Sequence, residues 1–312
     1  MNPINPQYLA MLTLCLLVTG CAFESESNPA TGSTQSSSSK TRHVLVIGID
    51  GARPDALLQA STPNLDKLIE NGLWAPAATT QLSSATSSGP GWMSILTGVS
   101  PEKHGVIANG FYLLRNTDYK TFVWHAHHTG DLATRVSVTW AELLDDIIEE
   151  DAYDRGAVDS DEGTTEKLAT SLLTEQHRLI FIHLDAPDHA GHSSGFSADN
   201  PDYLEAFTTI DAQVGRLLDA IAGRPTRGDE EWLVAMTTDH GGDSLGHGSL
   251  NKECQTIWVI LSGDGIKAGE IPTDGTEVVS HMDVFPSVME YLNIEIEPQW
   301  QLEGSSRLQF SD

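Results

Sequence analysis

Four short runs of apolar and β-branched residues limit most strongly how this chain can fold. They fall at residues 43–48, 179–182, 232–236 and 257–261, far apart in the sequence. Such runs are typical of strands that are buried on both faces, as in a parallel sheet covered by helices. The chain therefore needs helices on both sides of a sheet.

Helical signals separate these runs. Residues 203–222 form a long amphipathic pattern, and Ser61-Thr62-Pro63 predicts a helix start whose end is marked by Gly72. Further helices are predicted at residues 91–96, 140–150 and 284–292. Strands that alternate with helices predict an α/β fold, a three-layer α/β/α sandwich with a mostly parallel central sheet.

Polar clusters follow these strands at the points where the strands end. In such folds ligands bind beyond the carboxyl ends of the strands. A single Asp after a strand is usually a turn or a helix cap, so the clusters are informative only together. The candidate residues are Asp50 after the first run, Asp188 and His192 after the second, Asp239 and His240 after the third, and His247 before the fourth.

Carboxylates and imidazoles of this kind suit zinc and related divalent cations. Two adjacent cations, roughly 3.5–4 Å apart, can hold both the attacking and the leaving oxygen of a phosphoryl displacement.

The chain carries 44 acidic and 17 basic residues and a net charge of −27. This balance argues against nucleic-acid binding. Bound cations would make the site locally positive, so we expect two divalent cations and a small phosphorylated substrate.

A candidate nucleophile lies in the segment Ser87-Ser88-Gly89-Pro90-Gly91-Trp92, directly before a predicted helix. Backbone N–H groups at a helix start favour a nearby phosphate, and metal coordination would activate the Ser88 hydroxyl. Alternatively, the serines merely cap the helix. Thr86 and Ser87 are the rivals of Ser88 for the catalytic role.

These motifs resemble the alkaline phosphatase superfamily and, within it, the type I phosphodiesterase/nucleotide pyrophosphatase group. The likeness covers roughly residues 44–292. Its main stretches are Gly48-Ile49-Asp50-Gly51, Ser88-Gly89-Pro90-Gly91-Trp92, Leu96-Thr97-Gly98, His104-Gly105, Pro187-Asp188 with Gly191-His192, and Asp239-His240-Gly241.

The resemblance implies a role for each candidate. One zinc ion would be held by Asp188, His192 and His247. The other would be held by Asp50, Asp239, His240 and the Ser88 oxygen. The implied mechanism is attack by the Ser88 hydroxyl to form a covalent phospho-enzyme, which water then hydrolyses.

The chain departs from the group at several positions. Relatives usually carry Thr where this chain has Ser88, and Asn where it has Gly91, an amide that contacts a phosphate oxygen. A slot for a nucleobase is not identifiable, although Trp92, Phe111 and Tyr112 are candidates. Sulfatases of the superfamily use a Cys/Ser-x-Pro-x-Arg motif, which is missing here. Hydrolysis of phosphodiesters or pyrophosphates is therefore the leading expectation. Phosphomonoester or phosphonate hydrolysis is the first alternative, and a sulfatase or a non-catalytic envelope lipoprotein is less expected.

The remaining histidines have simpler interpretations. His281 is the rival of His247 as the third zinc ligand. His189 is expected to point away from the cations, and His104 to belong to the turn after Pro101. For the three histidines at residues 125–128 we expect a surface loop or an edge strand. The acidic stretch at residues 145–166 does not match an EF-hand and is predicted to be a solvated loop.

The N-terminus resembles that of a bacterial lipoprotein. Its apolar run is too short to span a bilayer comfortably and ends Val18-Thr19-Gly20-Cys21. We predict a signal peptide at residues 1–20, lipidation at Cys21, a Ser-rich tether at residues 21–41 and a catalytic domain at residues 42–312. An ordinary secretory signal is the alternative.

Ala22 favours, by the same resemblance, the outer membrane of a bacterial cell envelope, with the lipid as the only contact with the membrane. One cysteine remains in the body of the chain, which excludes a framework of internal disulfides. This residue, Cys254, is expected to be a buried, inert thiol.

Overall fold

The computed structural model describes residues 40–110, 112–272 and 278–311. Within them an eight-stranded sheet has the order β4-β3-β5-β1-β6-β7-β2-β8. All strands run in the same direction except β7, which is antiparallel to both of its neighbours. The strands are β1 Thr41–Ile49, β2 Gly72–Thr79, β3 Thr134–Val138, β4 Asp154–Val158, β5 Leu179–Leu184, β6 Glu230–Thr237, β7 Thr256–Gly263 and β8 Gly269–Glu270.

Ten α-helices occur in the described residues. They are α1 Pro54–Gln59, α2 Pro63–Glu70, α3 Ser88–Thr97, α4 Pro101–His104, α5 Phe122–His128, α6 Asp161–Leu172, α7 Ala186–Ser194, α8 Pro201–Ala222, α9 Lys252–Gln255 and α10 Val284–Tyr291.

Two separate hydrophobic cores lie on the two faces of the sheet. Val44 and Val46 of β1 pack into one core together with α3, α5 and α10. Leu45 and Ile47 point to the other face and pack with α1, α2, α6 and α8. Neighbouring residues of a strand face opposite sides, so a run that is apolar at every position needs both layers. The predicted α/β/α sandwich is confirmed.

The four predicted strands and most of the predicted helices are present, but the prediction for residues 140–150 was wrong. A single π-helical turn, Leu143–Ile147, replaces the expected α-helix, because the backbone becomes extended at Ile148 (φ −87°, ψ 136°). The acidic stretch is not simply a solvated loop either, since it contains β4 and the first turns of α6.

Four strands were not predicted. β2 contains Pro76 and shifts its register against β7 between Ala75 and Ala78, as expected where proline interrupts a ladder. β3 and β4 carry polar side chains and Gly156, and β8 has only two residues. β2 is apolar but contains proline and has no β-branched residue before Thr79, and the other three segments form no apolar run.

Candidate active site

The structure brings all seven predicted site residues to one edge of the sheet. Asp50 follows β1 directly, and Asp188 and His192 lie four residues apart on α7, so both point to one side of that helix. Asp239 and His240 follow β6, and His247 lies in the loop between β6 and α9. Ser88 is the first residue of α3. The parallel direction of β1, β5 and β6 explains the clustering, since their carboxyl ends meet at this edge.

Asp188, His192 and His247 form one set of potential metal ligands. The Nε2 atoms of the two histidines are 3.1 Å apart, and each lies within 3.7 Å of an Asp188 oxygen. Their Nδ1 atoms lie 3.0 Å from the carbonyl of Leu245 and 2.8 Å from that of Thr86. An N–H that donates to a carbonyl through Nδ1 leaves the Nε2 lone pair facing the set, as in metal-ligating histidines.

A second set surrounds His240. Its Nε2 atom lies 3.2 Å from Asp239 Oδ2, 3.5 Å from Asp50 Oδ1 and 3.5 Å from Ser88 Oγ. Its Nδ1 atom lies 2.7 Å from the carbonyl of Gly241. Asp188 also lies within reach of Asp50 and His240, so the two sets adjoin.

The carboxylates of these sets lack the partners that buried charges need. Asp50 Oδ1, Asp188 Oδ1 and Asp239 Oδ2 are buried without a hydrogen-bond partner. In the described residues no Lys or Arg pairs with any of the three. Buried carboxylates are normally paired or coordinate metals. The donor set therefore fits divalent cations.

The protonation equilibria agree with this interpretation. Burial, reinforced by the nearby Asp50 carboxylate, raises the pKa of Asp188 to about 9 and the pKa of Asp239 well above its ordinary value. Burial lowers the pKa of His240 to about 3, so that its imidazole is neutral at neutral pH. Neutral imidazole is the form that binds metal.

Asp50 is oriented by two residues that the sequence analysis did not connect with it. Its Oδ2 atom accepts a hydrogen bond from Trp92 Nε1 at 2.9 Å and lies 3.1 Å from His183 Nε2. Burial opposes ionisation of Asp50, but the hydrogen bond from His183 and the nearby imidazoles outweigh it and lower the pKa. The other oxygen, Oδ1, is left facing His240. The one signal for His183 was a histidine within the otherwise apolar strand β5.

Of the three candidate nucleophiles, Ser88 has its hydroxyl beside the ligand sets. Ser87 is the N-cap residue of α3, in an extended conformation. The hydroxyl of Thr86 donates to the carbonyl of Ser249 at 2.7 Å and accepts from Gly248 N–H at 3.0 Å. Thr86 thus fixes the loop that carries His247. The catalytic role of Ser88 remains a prediction.

An amide group lies next to Ser88, although the sequence motif has glycine where relatives have asparagine. The Oδ1 atom of Asn109 accepts a hydrogen bond from the N–H of Gly89 at 2.7 Å. No side chain would fit at Gly91, because a Cβ atom there would lie 2.8 Å from Asp239 Cβ and 2.9 Å from Asp239 O. The sequence analysis missed Asn109, since nothing in its spacing connects it with Ser88.

The aromatic candidates differ in position. Trp92 is fully buried and contacts Asp50, whereas Phe111 lies outside the described residues. Tyr112 is half-buried and lines a cavity of about 390 Å³ together with Trp140, Asn109 and two acidic residues. The cavity adjoins Ser88, because a Cβ atom on Gly89 would lie 3.2 Å from Tyr112 Oη.

The other histidines are mostly placed as expected. His281 is fully buried without a hydrogen-bond partner and belongs to neither ligand set. His189 points outward and pairs with Asp185 at 2.9 Å, and His104 lies at the end of α4 with its Nε2 atom 3.0 Å from Ser94 Oγ. The expectation for residues 125–128 was wrong: they belong to α5, and His125 packs on the Trp300 ring at 3.7 Å.

Comparison with protein-family models gives a match that covers much of the chain. The model for type I phosphodiesterase / nucleotide pyrophosphatase matches residues 44–152 and 131–251. These matches contain Ser88 and every residue of the two ligand sets.

Several curated proteins are similar in sequence to part of this chain. An uncharacterized pyrophosphatase/phosphodiesterase of Schizosaccharomyces pombe is 39% identical over 69 residues, 22% of this chain and 14% of that protein. The bis(5'-adenosyl)-triphosphatase enpp4 of Xenopus laevis is 23% identical and aligns with 87% of this chain and 64% of its own length. A 2,3-bisphosphoglycerate-independent phosphoglycerate mutase of Thiobacillus denitrificans is 27% identical over 47% of this chain and 26% of its own. The chain thus spans less than two thirds of these relatives.

Solved structures with the same fold include three kinds of hydrolase. Murine ectonucleotide pyrophosphatase / phosphodiesterase 5, an inactive variant in complex with AMP, has a TM-score of 0.65 at 16% identity, covering 82% of this chain and 96% of that one. A phosphonate monoester hydrolase from Silicibacter pomeroyi has a TM-score of 0.63 at 15% identity, covering 86% and 76%. A putative sulfatase from Bacteroides thetaiotaomicron reaches 0.67 at 14% identity, covering 86% and 74%. The shared fold is alkaline phosphatase-like.

Proposed function

Because the chain belongs to the type I phosphodiesterase/nucleotide pyrophosphatase family, we propose that it hydrolyses phosphodiester or pyrophosphate bonds with two divalent cations and a serine nucleophile. The observation that carries the proposal is the convergence of two ligand sets on one serine. Ser88 Oγ lies 3.5 Å from His240 Nε2. The set of Asp188, His192 and His247 adjoins the set around His240, because Asp188 is within reach of both.

Two zinc ions suit the nitrogen and oxygen donors of these sets. Asp188, His192 and His247 would hold one, and Asp50, Asp239, His240 and Ser88 the other. When bound, such ions activate the serine hydroxyl and offset negative charge on the phosphate and on the leaving oxygen. Two divalent cations exceed the charge of the three carboxylates, so an anionic substrate could approach the site although the chain carries a net charge of −27.

The chain's own residues then perform the displacement. The Ser88 oxygen forms a bond to phosphorus while the bond from phosphorus to the leaving oxygen breaks. Few N–H groups at the start of α3 remain for the phosphate. That of Gly89 donates to Asn109, that of Gly91 donates to the carbonyl of Ser87, and Pro90 has none. The Asn109 side chain, fixed by the N–H of Gly89, offers an amide N–H to a phosphate oxygen. The proton of the serine hydroxyl leaves with the released alcohol. In the second step water attacks phosphorus, the bond from phosphorus to the Ser88 oxygen breaks, and a proton from the water restores the serine hydroxyl as the product is released.

The surroundings of Ser88 favour diesters over the alternatives. Within the described residues no Arg or Lys pairs with the ligand sets, and a monoester, with its additional charge, would benefit from such a group. Where the sulfatase motif has arginine, this chain has Trp92, whose indole N–H is used by Asp50. Phosphomonoester or phosphonate hydrolysis on the same site remains the alternative.

Replacing Ser88 by Ala tests the proposal. We expect turnover of an aryl phosphodiester to fall by at least about a thousandfold, because the nucleophile is lost. Metal analysis should still find most of the bound cations, because the other ligands are unchanged. Ser87→Ala is the matched control, since Ser87 precedes the helix, and it should retain most activity. Full activity of Ser88→Ala, or faster cleavage of the corresponding monoester by the wild type, would contradict the assignment.

We further propose that the protein is a lipoprotein of the bacterial envelope that is acylated at Cys21. The variant Cys21→Ala tests this proposal. The signal peptide, Cys21 and the predicted tether up to residue 39 lie outside the described part of the chain, so the proposal rests on the sequence motif. In the described residues no helix is long and apolar enough to cross a membrane. Labelled fatty acid should be incorporated into the wild type and not into Cys21→Ala. An unlipidated wild-type protein would leave the secretory signal as the explanation.

A further inference from the structure

The guanidinium of Arg53 lies at the edge of the sheet that carries the ligand sets, but the proposed reaction does not use it. Arg53 stands between β1 and α1, and its side chain is only 14% exposed. Its Nη1 atom donates to the carbonyl of Phe196 at 3.1 Å and to that of Gly242 at 2.8 Å. Phe196 follows α7, and Gly242 lies in the loop after β6. One guanidinium thus joins two elements that are far apart in the sequence.

The remaining donors of Arg53 hold this guanidinium in place. Its Nε and Nη2 atoms donate to the two oxygens of Asp55 at 2.9 and 2.7 Å. Its backbone N–H donates to the hydroxyl of Tyr203 at 3.1 Å, and this hydroxyl donates to the carbonyl of Gly51. Because the guanidinium is planar and rigid, fixing one side of it also fixes the direction of the other. The two carbonyls therefore meet a donor whose position is set in advance.

Phe196, the owner of the first carbonyl, separates two of the predicted metal ligands. Its buried ring lies edge-on to the rings of His192 at 5.4 Å and His247 at 6.2 Å. A Cβ atom on Gly191 or on Gly242 would lie 2.3 Å from this ring, so the ring fills the space between α7 and the loop. The place of Phe196 thus determines how far apart the two histidines lie.

Gly242, the owner of the second carbonyl, begins the turn that leads to the second histidine. In this turn the carbonyl of Ser244 accepts the N–H of Phe196 at 2.8 Å, and the carbonyl of Leu245 lies 3.0 Å from His192 Nδ1. Ser244 has a φ of +55°, which is uncommon for a residue other than glycine and persists where the surroundings impose it. The contacts with α7 and with the guanidinium supply that constraint.

We propose that Arg53 is a positioning residue for the cation that Asp188, His192 and His247 would hold, here called the two-histidine set. By joining α7 to the loop after β6, it fixes the separation of the two imidazoles and need touch neither cation nor substrate. In the described residues its ion pair is with Asp55 and not with the carboxylate of the set. The inference rests on the proposed function, which places a cation in this set.

Replacing Arg53 by Met separates positioning from charge. A guanidinium repels a nearby cation, so loss of its charge alone would tighten cation binding. We expect the opposite: the affinity for one of the two zinc ions should fall about 10- to 100-fold, as when a group that orients a ligand is lost, while the other ion keeps its affinity. Titration of the metal-free protein with zinc against a chelator of known affinity measures both. Unchanged or tighter binding in Arg53→Met would overturn the proposal.

Arg53→Lys is the second variant and also decides the question if Arg53→Met does not fold. It keeps the positive charge, but an ammonium cannot replace the planar fork that bonds two carbonyls and a carboxylate together. We therefore expect the same zinc ion to be bound more weakly. Wild-type affinity in Arg53→Lys would show that the charge is sufficient, and would overturn the proposal.

Arg227→Met is the matched control for lost stability. Arg227 donates to the carbonyl of Glu230 at 2.9 Å and to the carboxylate of Asp264 at 2.8 Å, at the opposite edge of the sheet. Its loss should lower the free energy of unfolding and leave both zinc affinities unchanged. Equally weakened zinc binding in Arg227→Met would attribute the effect to stability and not to the positions of the histidines, which would overturn the proposal.

Two backgrounds assign the effect to one ligand set. In Asp239→Asn the remaining zinc ion should lie in the two-histidine set, so adding Arg53→Met should weaken its binding further. In His247→Ala the remaining ion should lie in the set around His240, and adding Arg53→Met should change little. Equal effects in the two backgrounds, or an effect in His247→Ala alone, would overturn the proposal.

The same titrations separate this proposal from the proposed function. If the wild type binds two zinc ions but hydrolyses no phosphate ester, the proposed function fails, and the affinities still decide the role of Arg53. A wild type that binds no zinc would overturn both.

Discussion

The two edges of the sheet both carry buried polar clusters, but only one of them balances its charges with protein groups. At the amino ends of β1 and β6, Arg224 and Glu230 form a buried ion pair at 2.8 Å. Glu230 also accepts hydrogen bonds from Trp232 Nε1 and Thr226 Oγ1, and His43 Nδ1 lies 2.9 Å from a backbone carbonyl. We call these five residues the amino-edge cluster.

At the carboxyl ends of the same strands, Asp50, Asp188 and Asp239 with His192, His240 and His247 form the carboxyl-edge cluster. Here three carboxylate oxygens have no hydrogen-bond partner, although Asp50 and Asp239 are as deeply buried as Glu230. Burying uncompensated charge is costly. The difference therefore indicates that one edge is complete in itself, whereas the other requires cations.

The largest expected effect is the loss of a ligand at the carboxyl edge. In His247→Ala the imidazole facing Asp188 disappears, so we expect about one of the two cations to be lost and turnover to fall by at least about a hundredfold. His281→Ala removes an imidazole that is more deeply buried than that of His247 but lies outside both ligand sets, and this variant should retain both cations. Metal analysis of the folded variants gives the ranking, and the reverse order would invalidate our choice of ligand.

At the amino edge a comparable substitution should affect stability instead. Glu230→Gln leaves the buried Arg224 without a counterion, which we expect to lower the free energy of unfolding by about 3 kcal/mol or more. The cation content should not change. Urea unfolding and metal analysis of the same sample measure both quantities.

Glu231→Gln is the control for this prediction. Glu231 is adjacent, but its side chain is 34% exposed and meets Arg42 at 3.4 Å, so its loss should change stability by at most about 1 kcal/mol. Loss of metal in Glu230→Gln would show that the two edges are not independent.

A smaller effect is expected from the residues that orient Asp50. His183→Phe removes one of the two donors to Asp50 Oδ2, and Trp92→Phe removes the other. Loss of such a partner should weaken cation binding about 10- to 100-fold. Titration against a chelator of known affinity measures the change. Unaltered affinity in both variants would mean that these bonds do not position the carboxylate.

A further expected effect is a dependence of stability on pH in the metal-free protein. The pKa of Asp188 is raised from 3.8 to about 9 in the folded chain, so the folded state binds more protons than the unfolded state between these values. Its stabilising contribution is present at low pH and declines as the pH rises toward 9, by up to about 1.4 kcal/mol per unit. Above pH 7 the histidines of the unfolded chain are neutral and add little.

We therefore expect the chelator-treated protein to unfold at lower urea concentration at pH 9 than at pH 7, and Asp188→Asn to have a weaker dependence. The same titration of the metal-loaded protein should be nearly flat over this interval, because its carboxylates are already ionised. Equal stability of the metal-free wild type at the two pH values would contradict the account.

Sequence position was sufficient to find Asp50, Asp239 and His240, because residues that follow parallel strands necessarily share an edge. His183 and Asn109 could not be found this way. The role of His183 depends on the pairing of β1 with β5, which places it beside Gly48. Asn109 reaches the nucleophile only through a hydrogen bond to Gly89.

The same limit applied to the fold. Strands buried on both faces were evident from composition, whereas β3 and β4 lie at the end of the sheet and carry polar residues. The helix expected at residues 140–150 does not form. Its apolar residues pack into the core from a single helical turn, and the backbone then becomes extended. Tertiary contacts, and not local pattern, determine such segments.

The central claim is that the carboxyl edge holds cations that the amino edge does not need. The cation content of the wild-type protein, dialysed against micromolar zinc and then washed, tests it most directly. The account predicts about two zinc ions per chain, unchanged in Glu230→Gln and reduced in Asp239→Asn. A folded wild-type protein that retains no zinc, or that retains as much after Asp239→Asn, would contradict it.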